Sequence, residues 1–289
     1  MNLRPASAGR PDAAPLLGRA AILAAVAIAA GACQANDTFV PADGQPALPT
    51  CVPNLDGAIG ADELPVAWGA EVRFRVTAAN KTAEVSTRGS DDGSGARVWL
   101  WDAATADDDV VAVGPQKLSA FWFADYFPDA QFVLPIDRDG MTYGAYRRDD
   151  QAVWLLGFAS KTQQPASQRT LARYSTPIAV TRFPLAVGQQ FQSAAKLSGA
   201  EVNGLPFAGE HRYTVTVDGA GELQLPDLSF APALRVRTVV DNQPFVGAAV
   251  RQHQVSIFFE CFGEVARLRA DGQERADGVS VGELWRYHP

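Results

Sequence analysis

The sequence predicts an all-β fold: an antiparallel sheet, curved into a half-barrel or folded as a two-layer sandwich, with at most one or two short helices. Three observations carry that expectation. Short β-branched and aromatic runs recur along the chain, some alternating strictly between apolar and polar residues. Asp-Gly pairs, which accommodate positive φ in tight hairpins, fall between several of them. Amphipathic helical stretches of roughly 10–15 residues, which a parallel βαβ fold needs between its strands, do not occur. With 289 residues, 47% hydrophobic and 20% charged, the chain has the arithmetic of one or two folded domains rather than of a disordered polymer.

Residues 1–32 do not read as domain. Arg4, Arg10 and Arg19 are their only basic residues and Asp12 their only acidic one, and from Ala20 a run of Ala, Ile, Leu and Val leads to Gly31-Ala32-Cys33. A basic start, an apolar stretch of roughly 7–15 residues and small residues at a cleavage point define a secretory signal peptide. A membrane-spanning helix needs about 20 apolar residues, more than lie between Ala20 and Ala32. The small residues before Cys33 also resemble the lipobox of bacterial lipoproteins, although Ala30 stands where that family usually carries Leu. The resemblance implies that Cys33 is lipidated and becomes the mature N-terminus, with the membrane as partner through that lipid. Gln34 follows, where lipoproteins retained in the inner membrane often have Asp, so the resemblance implies export to the cell envelope at the outer membrane.

Cys33, Cys51 and Cys261 are the three cysteines. An odd count in an exported chain asks for an explanation; with Cys33 lipidated, Cys51 and Cys261 remain as one disulfide pair, the alternative being two buried free thiols. Without residues 1–32, 22 basic groups face 31 acidic ones, a net charge of −9. No stretch of Lys and Arg is dense enough to track phosphates, so nucleic acid is not an expected partner.

Residues 34–50 contain Pro41, Gly44, Pro46 and Pro49 without an apolar period, the composition of a flexible tether. A single antiparallel β domain is expected over residues 51–289. Glu71-Val72-Arg73-Phe74-Arg75-Val76 and His211-Arg212-Tyr213-Thr214-Val215-Thr216-Val217 alternate strictly, as strands with one wet face do. Residues 97–101, 152–158, 233–240, 251–259 and 283–287 are further strand candidates. Asp139-Gly140, Asp218-Gly219, Asp271-Gly272 and Asp277-Gly278 are the hairpin candidates. Residues 117–127 fit a helix stopped by Pro128, or equally a strand with Phe121 and Phe123 on one face. Residues 161–169 are polar, contain Pro165 and are the best internal linker candidate.

Tyr174-Ser175-Thr176-Pro177, then Arg182-Phe183-Pro184-Leu185-Ala186-Val187-Gly188 ending in Phe191, resembles a run in uncharacterised extracytoplasmic bacterial β-proteins. Gly221-Glu222-Leu223-Gln224-Leu225-Pro226, Phe230 and Leu234-Arg235-Val236-Arg237 are similar to their next element, with Asp227-Leu228 where a Gly would be usual. That resemblance covers about a quarter of the chain and implies architecture, not chemistry. Pro184 cannot donate to a ladder, so it belongs at a strand start or edge, with Phe183, Leu185 and Val187 alternating inward.

Catalytic spacing is sparse. There is no Gly-x-Ser-x-Gly elbow, His-Glu-x-x-His, Cys-x-x-Cys, Walker lysine or dinucleotide fingerprint, and no cofactor is expected. His211, His253 and His288 are the only histidines, the first two read as strand surface residues. Asp107-Asp108-Asp109 and the pair Asp137 and Asp139 offer hard oxygen ligands of the kind calcium takes, but neither completes a twelve-residue loop. Trp99, Trp101 and Trp122 head an aromatic stripe that is core in a flat sheet and a ligand-lining wall in a curved one. The expectation is a non-enzymatic, lipid-anchored envelope protein whose β domain binds a hydrophobic ligand or a partner protein. The alternative is a secreted hydrolase or carbohydrate-active protein with dispersed carboxylates, for which Asp125, Asp129, Asp137 and Glu260 are the acids to inspect.

Overall fold

The computed structural model describes residues 51–64, 66, 70–79, 81–91, 93, 96–103, 107–271, 279–281 and 283–289, with the backbone alone for 270–271 and 279–281. All belong to one compact unit, Pro46–Pro289. The leader, Cys33 and the tether lie outside the described residues, as does most of the chain around Asp271-Gly272 and Asp277-Gly278.

The described residues form strands and no α-helix. In chain order they are β1 (Ala58–Ile59), β2 (Val72–Val76), β3 (Ala83–Val85), β4 (Ser90–Asp91), β5 (Arg97–Leu100), β6 (Asp109–Val113), β7 (Phe132–Pro135), β8 (Thr142–Arg148) and β9 (Ala152–Ser160). There follow β10 (Leu171–Arg182), β11 (Leu185–Ala186), β12 (Gln190–Val202), β13 (Leu205–Gln224), β14 (Ser229–Pro244), β15 (Val250–Phe259), β16 (Gly263–Asp271), β17 (Val279–Val281) and β18 (Glu283–His288). Three single 3-10 turns, Leu118–Ala120, Ala124–Tyr126 and Ala166–Gln168, are the helical content.

Twelve strands run in the order β6-β2-β18-β16-β15-β14-β13-β12-β10-β9-β8-β7. Each neighbouring pair is antiparallel. The chain just past β6 returns to β7 through a bridge at Gln116 and Val133, whose backbones exchange hydrogen bonds of 3.0 and 3.1 Å. The sheet is thus a nearly closed barrel, further round than the half-barrel of the sequence reading, and closure removes exposed strand edges. The strands flanking residues 161–169 pair with each other, so that segment is a β9–β10 loop within one sheet.

Asp139-Gly140 turns β7 into β8 with Gly140 at φ +62°. Asp218-Gly219, in contrast, lies inside β13, where the register slips between Val217 and Gly219. A bulge bends a long strand, and this one carries Gly219 past the Trp99 ring, which a Cβ there would meet at 3.4 Å, an ordinary contact. Residues 117–127 are neither helix nor strand. Two 3-10 turns lay Phe121, Trp122, Phe123 and Phe127 against Val133, Tyr143, Ala145 and Ala159 of the barrel wall. Leu185 is buried as expected, but Val187 is 52% exposed, because β11 ends at Ala186.

Residues 51–64 cross one end of the barrel. Cys51 and Cys261 form a disulfide with a Cα–Cα distance of 5.5 Å, tying this strap to the β15–β16 turn. The Leu55 amide donates to Glu260 Oε2 at 2.8 Å and the Cys261 amide to the Glu63 carbonyl at 2.8 Å. β1 pairs with β11, and Ile59 and Leu185 pack on Phe191, Val215, Val217, Leu234 and Val236. That end is the base, and its core is apolar.

Candidate functional site

Register assigns the two faces of the sheet. One row runs Val217, Val236, Ser256, Arg267, Trp285, Val76 and Asp109, and the next Val215, Thr238, Gln254, Arg269 and Glu283. On the same face lie Ala195, His211 and Asn242. That face is concave. The Phe158 and His211 rings stack at 6.1 Å although β10 and β12 lie between their strands, a path of about 14 Å along a flat sheet at ~4.8 Å per strand. Tyr146 on β8 feels the charges of Arg267, Arg269 and Glu264 on β16, which lies far from β8 in the strand order. These side chains line the inside of the barrel.

Inside, the wall is two-sided. From β8 to β13 it carries Leu155, Phe158, Tyr174, Ile178, Leu197 and Tyr213, with Tyr146 alongside. From β15 to β18 it carries Gln254, Ser256, Glu264, Arg267, Arg269 and Glu283. The Arg267 Nη1 pairs with Glu264 at 3.2 Å and its guanidinium lies 4.5 Å from the Trp285 ring, the geometry of a cation–π contact. Arg269 Nη1 lies 3.8 Å from Glu283, and its Nη2 donates to the Ile136 carbonyl at 2.7 Å.

Exposure changes along this wall. On the inner face of β14, Leu234 is 1% and Val236 4% exposed, whereas Thr238, Val240 and Asn242 are each half-buried. The space is sealed at the base and accessible towards the opposite end, where β14 turns into β15. It is a cup with an apolar floor.

Burial raises the hydroxyls of Tyr146, Tyr174 and Tyr213 above the ordinary tyrosine value, so all three are neutral donors at pH 7. Burial lowers the His211 imidazole, against a smaller opposing contribution from Asn242, and it too is neutral. His211 Nδ1 is 2.8 Å from the Tyr174 hydroxyl. On its other side the imidazole has the Asn242 side chain as neighbour, and the Arg267 Nε is buried with no hydrogen-bond partner among the described residues.

The residues singled out from sequence fall elsewhere. Trp99 and Trp101 are 0% and 1% exposed. They pack with Val255, Ile257, Leu268 and Leu284 on the opposite face of the sheet and donate to the Thr87 and Ser86 carbonyls, so they offer a ligand no surface. Trp122 is partly buried outside the barrel and donates to the Ser160 carbonyl at 2.9 Å. The aspartate triplet is divided among cations: Asp107 lies 3.9 Å from Lys81, Asp108 pairs with Arg286, and Asp109 with Arg138. Asp137 Oδ1 accepts the Met141 amide at 2.8 Å, a turn contact, and Asp139 is exposed beside it. Among the described residues no three His, Cys, Asp or Glu side chains gather as a metal site. Asp125 and Asp129 are exposed, while Glu260 is buried holding the strap. His253 is half-buried on the outer face, and His288 pairs with Asp227 at 3.0 Å. His211, read from sequence as a surface residue, is instead buried inside.

Sequence reasoning missed Tyr146, Gln254, Glu264, Arg267 and Arg269. Their signal was the alternation of Glu264 to Arg269 across a bulge, which looks the same whether the polar side meets solvent or a lumen. Compared with protein-family models, curated proteins and solved structures, the chain matches none.

Proposed function

We propose that this chain is an exported, lipid-anchored envelope protein whose barrel is a non-enzymatic binding cup for a small amphipathic molecule. The apolar part of the guest would rest on the floor and the aromatic wall, and its polar part against Gln254, Arg267 and Arg269. The observation that carries this reading is the passage from sealed to accessible along the inner face of β14, from Leu234 to Asn242. Pockets that take small molecules combine apolar walls with a few convergent polar groups. The disulfide supports the anchoring half: with Cys51 and Cys261 bridged, Cys33 is the remaining cysteine, and it follows the small residues that resemble a lipobox. Three acyl chains at about 0.8 kcal/mol per buried methylene suffice for stable attachment without a spanning helix.

Titration of 11-(dansylamino)undecanoate is the test. Saturable binding with a blue-shifted emission is expected, lost in Thr238→Trp, which places a ring on the inner wall at a half-buried position. No saturable binding, or binding untouched by that change, overturns the cup. Palmitate incorporation abolished by Cys33→Ala is expected for the anchor, and labelling that survives the substitution overturns it.

A further inference from the structure

At the mouth of the barrel the β14–β15 connection and the strand residue on each side of it read Pro244-Phe245-Val246-Gly247-Ala248-Ala249-Val250, seven residues without a polar side chain. Phe245 is 62%, Val246 92% and Val250 51% exposed, and the neighbouring β12–β13 hairpin adds Leu205 at 69%. The two hairpins are joined by the Phe245 amide donating to the Ala208 carbonyl at 2.9 Å. Scattered exposed apolar residues are ordinary, but a contiguous apolar projection marks an interaction site. We propose that this tip inserts into a lipid bilayer.

Three features of the chain favour a bilayer over a protein groove. The tip is convex and carries no side chain able to donate or accept a hydrogen bond, so it offers nothing directional, whereas protein interfaces combine an apolar centre with hydrogen-bonding groups at about one bond per 100–200 Å². A bilayer selects on apolar area alone. From Asn242 to Val250 there is no charge, so entry past the headgroups does not bury an ion. The geometry also permits it. Cys51 is fixed to Cys261 at the far end of β15, ten residues or about 34 Å from the tip at ~3.4 Å per residue. Seventeen residues separate Cys33 from Cys51, an extended reach of about 60 Å. A lipid on Cys33 therefore leaves the barrel free to turn its mouth to the same membrane.

The inference does not rest on the cup having a guest. A full-length Cys33→Ala chain, free of lipid, receives a single cysteine at Val246 labelled with bimane, and is mixed with phosphatidylcholine vesicles containing acyl-chain-brominated lipid. With Cys51 and Cys261 bridged, the new cysteine is the one free thiol. The label is expected to shift to the blue and to be quenched by bromine, while the same label at Val187, an exposed apolar site at the base, does neither. Phe245→Asp in the labelled chain is expected to weaken partitioning at least tenfold at an unchanged melting midpoint. No shift at position 246, an equal shift at 187, or a shift that follows protein concentration without lipid, as a second copy would give, overturns the proposal.

Discussion

Serine at both Cys51 and Cys261 opens a loop whose ends stand 210 residues apart in sequence. In the chain-entropy description, closing so long a loop stabilises the fold by about 5 kcal/mol, an upper figure that residual structure in the denatured chain reduces. The native side of the change is small, because the strap keeps its bonds from Leu55 to Glu260 and from Cys261 to Glu63, and Ile59 stays wedged against Leu185. The double variant is therefore expected to fold and to lose about 2–5 kcal/mol. Urea titration followed by tryptophan fluorescence, with Cys33→Ala in both proteins to prevent thiol exchange, measures the loss. The slope against urea should rise slightly, since an unlinked chain exposes more surface when it unfolds. A loss under about 1 kcal/mol at equal slope would refute the argument, showing that packing alone closes the base and that the crosslink constrains nothing the denatured chain explores.

Other perturbations test separate parts of the structure. His211 has its folded value lowered by burial, so its contribution is complete above about pH 6.5, the unfolded value, and stability declines as pH falls from there through the lowered folded value. His211→Gln should flatten that decline in thermal melts between pH 7 and 5, and an unchanged slope would place the proton elsewhere. Arg286 and Asp108 are paired with side chains 2% exposed each, and burial pulls the arginine below its ordinary value. Asp108→Asn should cost about 3–5 kcal/mol in urea unfolding by leaving a buried cation unpaired, and adding Arg286→Met should recover most of it. Gly221→Ala sets a Cβ 2.0 Å from the Arg97 carbonyl and should cost about 1–3 kcal/mol by forcing β5 away from β13. Amide exchange in residues 97–100 would then quicken, and unchanged protection there would contradict the packing.

The strands were legible from alternation, and the polar lining of the barrel was not, for a definable reason. In His211 to Val217 and Glu71 to Val76 the period of two separates the faces correctly. His211, Tyr213, Val215 and Val217 share one face, and Phe74 and Val76 another stretch of the same inner wall. Alternation does not say which face a sheet will curl around. Near Glu264, Arg267 and Arg269 the polar face turned inward, while the opposite face of the same strands was covered by Trp99 and Trp101. Curvature is set by pairings between residues far apart in sequence, such as Gln116 with Val133, for which no local run carries a mark. The same limit explains residues 117–127, whose aromatics are buried against another part of the chain and so follow neither helical nor strand period.

The fastening between β6 and β7 has a mechanical meaning. Among the described residues the seam is one rung of backbone pairing, reinforced by Arg138 reaching Asp109 and the Thr77 carbonyl. Two backbone bonds contribute on the order of 1–3 kcal/mol net, so on their own they would leave such a rung parted for roughly 1–15% of the time. The girth of the ring is then not fixed by its hydrogen bonds. Parting that one rung would widen the slit without unzipping any of the eleven longer ladders.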